Sequence, residues 1–229
     1  MGHSDNSRLQ NACYQALDAA KSRRLALTAW ITIALIIVID QLLKVWVKTS
    51  FYLGEDLELL PWFHLRFIQN NGMAFGIELG SKLFLTFFRI ALVGVLVWYI
   101  TSLAKYARVS VGFMICVAMV TAGAFGNIVD CVFDGEIFSN PYPPQIATFV
   151  PWGEGYGGIF QGLVVDMLYF PLFSFTWPQW MPWIGGHEFS FFDPVFNFAD
   201  ACITVGMLTI IIFYSKYLGA YKPEDEKTA

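Results

Sequence analysis

The chain has 229 residues, of which 56% are apolar, 17% aromatic and 14% charged, whereas about a quarter of an ordinary soluble domain is charged. That composition, with a mean hydropathy of +0.54, excludes a soluble globular enzyme and points to a membrane protein. A net charge of −4 gives no basic footprint, so no nucleic acid is expected as a partner.

Crossing a bilayer core of about 30 Å takes roughly 20 helical residues. Four apolar runs meet that length: 25–47, 82–103, 110–130 and 194–217. They predict an all-α membrane protein with four transmembrane helices. Residues 1–24 form an N-terminal tail, 25–217 a single membrane-embedded domain with outer loops 48–81 and 131–193, and 218–229 a C-terminal tail. The first run has no small-x-small cleavage site after it and is expected to remain as a helix.

Cations set the orientation. Lys21, Arg23 and Arg24 precede the first run, Lys105 and Arg108 join the second and third, and Lys216, Lys222 and Lys227 follow the fourth. Those regions, with both termini, are expected on the cytoplasmic side. Residues 132–196 contain no Lys or Arg but carry Asp134, Glu136, Glu154, Asp166, Glu188 and Asp193, which places them outside. In the first outer loop, LELLPWFHLRFI reads as strands lying on the membrane. The long second loop is rich in Trp, Phe, Tyr, Pro and Gly, a composition suited to the membrane interface, and reads as a cover. Gly153 to Gly158 matches GxGxxG, but no strand leads into it and no helix opens from it, so it is not a dinucleotide site.

Ionisable residues within spans are costly and mark function by default. Counting along the helices puts Asp40, Arg89, Asn127, Asp130 and Asp200 within about 10 Å of the outer surface. Asn127-x-x-Asp130 and Asn197-x-x-Asp200 each place an amide and a carboxyl on one helix face. Interhelical hydrogen bonding is the competing explanation for these residues, and a structural ion pair for Asp40 and Lys44 at i,i+4. Asp166, in VVDMLYF, offers a second carboxyl to Asp200. Two such acids in a desolvated site share one proton, which suits acid–base hydrolysis of a peptide bond. The four cysteines, Cys13, Cys116, Cys131 and Cys202, read as reduced. His3, His64 and His187 are too scattered for a zinc site, so neither metal nor cofactor is expected.

Five motifs occur in order: Asp40-Gln41-Leu42-Leu43-Lys44, Asn71-Gly72-Met73-Ala74-Phe75, Gly123 to Asp130 (GAFGNIVD), Val164-Val165-Asp166, and Phe196-Asn197-Phe198-Ala199-Asp200. Together they resemble the lipoprotein signal peptidase family, also called signal peptidase II. The resemblance implies an aspartic endopeptidase of the bacterial cytoplasmic membrane that cuts diacylglyceryl-modified prolipoproteins just before the lipidated cysteine, working among membrane lipid near the outer leaflet. Asp166 and Asp200 match the catalytic pair. Asp40, Lys44, Asn71, Gly72, Asn127, Asp130 and Asn197 fall in motifs expected to bind substrate or support the pair. The resemblance also implies a small extracytoplasmic β-cradle, a closing outer segment, and inhibition by globomycin-like compounds. The residue after Asp130 is usually Arg in the family and is Cys131 here, leaving Arg66 and Arg89 as candidates for that cation. A small proton-coupled carrier is the competing class, but a carrier should have midplane charges and repeated halves.

Overall fold

The structure, a computed structural model, describes residues 3–71, 82–106 and 109–218. In chain order the elements are α1 (His3–Ser50), β1 (Asp56–Leu60), β2 (Phe63–Asn70), α2 (Lys82–Tyr106), α3 (Val111–Ile137), β3 (Val164–Tyr169), β4 (Phe173–Thr176), β5 (Glu188–Phe191), α4 (Phe198–Phe213) and α5 (Ser215–Leu218). Helix α1 is continuous because neither Pro nor Gly occurs between Gly2 and Gly54, and nothing local stops it. It therefore runs without a break through residue 25, where the sequence reading sets the start of the first span.

Helix α3 starts at Ser110, whose hydroxyl accepts from Phe113 N–H at 3.3 Å, a standard side-chain cap. It continues to Ile137 rather than ending at 130. Its last turns carry Asp134, which pairs with Lys48 of α1 and so gives the polar end of the helix a buried partner. Helix α4 begins later than expected. Pro194 to Asn197 are not helical, and Asn197 is its N-cap. Gln15–Ser50, Lys82–Lys105 and Val111–Ile137 are each long and apolar enough to cross a membrane, and Phe198–Phe213 is a shorter apolar helix. The described residues thus form a helical membrane protein with three to four apolar helices and a small antiparallel sheet.

Helix α3 is central and packs against α1, α2 and α4. Leu25, Ala29, Phe113, Met114, Ala118 and Ala122 are buried at its contacts, whereas Trp30, Leu35, Phe84, Phe87, Val95, Leu208 and Ile212 stay exposed, as lipid-facing positions should. Small residues let the helix axes approach. A Cβ on Gly126 would stand 2.6 Å from Asp40 Oδ2, and one on Gly123 would collide with the Ala199 carbonyl.

The sheet has the order β1-β2-β3, with both pairs antiparallel. Its third strand comes from the second outer loop, so residues 131–193 are not a simple cover. They hold the end of α3, strand β3 and a separate β4–β5 hairpin. Phe67, Val165 and Met167 seal the sheet against Val47 and Phe51 at the C-terminal end of α1.

Replacing Gly123 by Leu is expected to force α3 and α4 apart. A thermal melt in detergent should show a loss of about 1–3 kcal/mol, the usual penalty for overpacking, whereas Gly94→Leu, with open space around its Cβ, should leave the midpoint nearly unchanged.

Candidate active site

Asp166 lies in the middle of β3 rather than on a loop. Ile68 faces it across the ladder, so Asn70, two residues on, is its diagonal neighbour on the same face. Asn70 Nδ2 donates to Asp166 Oδ2 at 3.1 Å. Asn71, the sequence candidate, lies past the end of β2 and is exposed. Strand parity makes the difference, because one residue's shift sends a side chain to the other face. Gly72 lies outside the described residues.

The approach to β3 is fixed by a strap, residues 155–163, laid along the end of α3. Tyr156, Gly157, Phe160 and Gly162 donate their N–H groups to the carbonyls of Phe138, Gly135, Val132 and Cys131 at 2.9–3.2 Å. Lys48, fully buried, pairs with Asp134. Its ammonium also sits 4.4 Å from the Phe138 ring centroid and 5.0 Å from that of Tyr156, within cation–π range. The Tyr156 hydroxyl accepts from Leu163 N–H at 2.7 Å, one residue before β3.

Asp200 occupies the first turn of α4. The Asn197 side chain accepts from Asp200 N–H at 2.9 Å, and Asp200 Oδ2 accepts from Asn197 N–H at 3.5 Å. The i,i+3 spacing of Asn197 and Asp200 is therefore a reciprocal cap, not a stripe on one helix face. This cap leaves the Asn197 amide free to donate to Asp166 Oδ1 at 2.7 Å and to Asn127 Oδ1 at 3.2 Å. Asn127 Nδ2 donates to Asp200 Oδ1 at 2.8 Å. Two asparagines thus bridge the two acids.

Beneath the bridge, Lys44 has three acceptors within reach: Asn127 Oδ1 at 2.9 Å, Asp40 Oδ2 at 2.8 Å and Asp130 Oδ2 at 2.7 Å. Asn127 accepts a hydrogen bond from the ammonium, the two carboxylates pair with it as ions, and Asp130 Oδ2 accepts no hydrogen bond. Asp40 Oδ1 also accepts from Ala199 N–H at 3.0 Å, and Gln41 Nε2 donates to Asp130 Oδ1 at 2.9 Å. The pairs Lys44–Asp130 and Lys48–Asp134 advance together by one helical turn, so α1 and α3 run in the same direction here.

Burial first, and the charge of Asp200 second, push the Asp166 carboxyl up to about 7, while the hydrogen bonds from Asn70 and Asn197 pull it back. Desolvation and a like charge act in the same direction, as expected for a carboxyl that retains a proton. The structure brings together Asp40, Lys44, Asn127, Asp130, Asp166, Asn197 and Asp200. It adds Asn70 and Gln41, which the sequence reading missed. Asn70 was legible as the residue two beyond Ile68 once the strand pairing is known, and Gln41 only through its contact with Asp130. Of the two candidate cations, Arg89 stands beside Cys131, with Nη1 3.5 Å from its sulfur, whereas Arg66 lies over the Tyr169 ring. Cys116, Cys131 and Cys202 are free and buried, and among the described residues no three His, Cys, Asp or Glu side chains are grouped to hold a metal ion.

The two acids lie together at one end of an apolar helix bundle, and that fold has a solved counterpart. A solved bacterial membrane enzyme structure obtained by the in meso method at 2.3 Å resolution superposes with a TM-score of 0.56, covering 86% of this chain and 92% of that one at 23% identity. The family model for signal peptidase (SPase) II matches residues 32–216, and the chain belongs to that family of membrane proteases. A lipoprotein signal peptidase of Porphyromonas gingivalis is 47% identical over 80% of this chain and 81% of its own length. One from Amoebophilus asiaticus is 37% identical over 78% of this chain and 73% of its own.

Lys44→Met should strand two buried carboxylates and lower stability by about 3–5 kcal/mol. Adding Asp130→Asn to that variant should recover part of the lost melting temperature, because one of the stranded charges is then gone.

Proposed function

We propose that this chain cleaves diacylglyceryl-modified prolipoproteins just before the lipidated cysteine, with Asp166 and Asp200 sharing a single proton as acid and base. The observation that carries this reading is the Asn197–Asn127 bridge, which aims one amide donor at each carboxyl. In the resting site the proton is assigned to Asp166, which is buried in the sheet. The charge is assigned to Asp200, at a helix N-terminus where backbone N–H groups and the macrodipole favour an anion.

The reaction then follows in order. Asp200 takes a proton from a water as that oxygen bonds to the scissile carbonyl carbon, and Asp166 gives its proton to the carbonyl oxygen. On collapse, the carbonyl re-forms and returns that proton to Asp166, the C–N bond breaks, and the proton held by Asp200 passes to the leaving nitrogen. Asn70, Asn127 and Asn197 do no proton transfer. They fix the carboxyl planes, and the Lys44 cluster fixes Asn127. No metal or organic cofactor enters this scheme.

Membrane placement belongs to the same proposal. Helix α4, at 1.5 Å per residue, spans about 24 Å and with α5 completes a fourth crossing. Both termini and the Arg- and Lys-bearing joint between α2 and α3 then face the cytoplasm, and the acid pair lies near the outer leaflet of the bacterial cytoplasmic membrane. Globomycin-like inhibitors are expected to compete for this site. The carrier alternative gains no support from acids gathered at one end of the bundle.

Asp166→Asn and Asp200→Asn should each reduce cleavage of a lipidated prolipoprotein by at least about 10²-fold, the usual share of general acid–base catalysis, with insertion and melting behaviour retained. Persistence of cleavage in either variant would remove that residue from the pair. The rate should follow a bell in pH, with the alkaline limb near 7 as the shared proton is lost.

Stability offers a second pH test. The native protein holds the Asp166 proton up to about 7, while an unfolded aspartate releases it near 4. The stabilisation is therefore full below about 4 and is lost as pH rises through 7. Asp166→Asn should remove that dependence from the unfolding curve.

A further inference from the structure

Between the two acids of the site, the chain makes an excursion that the proposed chemistry does not use. Residues 170–195 leave β3 after Tyr169 and return at Phe196, whose backbone bridges Leu168. Within the excursion β4 and β5 pair as Phe173↔Phe191, Ser174↔Ser190, Phe175↔Phe189 and Thr176↔Glu188. Alternation in a strand sends successive side chains to opposite faces, so four phenylalanines share one face, and Ser174 and Thr176 belong to the other. The rings form a ladder: Phe173 stacks on Phe191 at 4.9 Å and 7°, Phe175 meets Phe189 at 5.2 Å, and Trp177 caps the series against Phe175 at 4.8 Å. All four phenylalanines remain exposed on their outer side, and at the tip Trp180 and Trp183 are 79% and 98% exposed.

We propose that this hairpin is a membrane-interface anchor, seated by its phenylalanine face and tip tryptophans in the headgroup–acyl boundary of the outer leaflet. Three observations select lipid as the occupant. The first is continuity with the membrane-embedded part of the molecule: β5 ends six residues before Asn197, the cap of apolar helix α4. Its root rings, Phe170 and Phe196, also stack with each other at 5.6 Å and connect through Phe63, at 4.9 Å from Phe170, to exposed Trp62 at the β1–β2 turn. The second is chemistry. Trp and Phe at a polar–apolar alternation are the residues that settle in the interface. The third is charge. No Lys or Arg occurs between Arg108 and Lys216, so the surface is suited to neutral lipid through apolar burial rather than to anionic headgroups or an acidic protein. A hairpin of two four-residue strands is marginal in water, and interfacial seating gives its open ring face a partner. The Tyr169 hydroxyl donates to Asp193 at 3.1 Å, which ties the returning arm to the strand bearing Asp166. The depth of the anchor therefore sets the height of the cleft edge. This assignment stands whether or not Asp166 and Asp200 are the catalytic pair.

The test uses the full chain in phosphatidylcholine vesicles, with and without bromine on the acyl chains near the glycerol, comparing wild type with Trp180→Phe/Trp183→Phe. Both positions are exposed, so folding is not at risk. The difference emission, which belongs to Trp180 and Trp183, should be shifted to the blue of water-exposed indole and quenched roughly two-fold by bromolipid, with little quenching by aqueous iodide. It should not change when anionic lipid is added. Phe173→Ser/Phe191→Ser in the wild-type background should abolish the bromolipid effect on the same two tryptophans. Red emission quenched by iodide but not by bromolipid would overturn the proposal. So would a blue shift that arises only when a diacylglyceryl-modified prolipoprotein peptide is added, because the face would then belong to the substrate.

Discussion

The site depends on a buried ammonium. Lys44 is only 2% exposed, and a cation there is tolerable only if it is paired with opposite charge. Asp40 and Asp130 supply that charge, and Asn127 accepts a hydrogen bond. The arrangement also decides an orientation that a neutral amide would leave open. The Asn127 oxygen must face the ammonium, so its NH₂ must face Asp200. A charge one layer below the acids therefore sets which group meets them.

One turn further along α1, Lys48 performs the corresponding task for the chain outside the bundle. Its pairing with Asp134, between the rings of Phe138 and Tyr156, pins the strap that delivers β3. The two lysines thus hold the two halves of the site: Lys44 through α3 to Asp200, Lys48 through the strap to Asp166. Both acids are referred to the same helix, which is how residues 34 positions apart in sequence come to face one another across asparagine amides. Close approach of α3 to its neighbours at Gly123 and Gly126 makes that reference rigid, since any side chain there would displace Asp40 or the start of α4.

The catalytic proposal and the interfacial anchor meet at Tyr169 and Phe196. The strand bearing one acid and the cap preceding the other are the two feet of the aromatic hairpin. A substrate whose cleavage point lies next to a lipid anchor presents its peptide bond at a defined depth, and a cleft whose edge is held at a defined depth matches that geometry.

Some of this was readable from the chain alone. Apolar length gave the long helices, and helical spacing marked Asp40 with Lys44 and Asn127 with Asp130, because both signals are local and repeat along one element. The acids Asp166 and Asp200 were legible as residue types out of place among apolar neighbours. What the sequence could not supply was set between elements. Asn70 rather than Asn71 meets Asp166 because antiparallel pairing with a shift between Leu65 and Ile68 fixes the parity of β2. Asn197 is a cap and not part of a helical stripe because α4 starts one residue later, and the C-terminal end of α3 extends past 130, where Lys48 pairs with Asp134. Register, capping and buried charge pairing are contacts between distant segments, and no spacing within one segment encodes them.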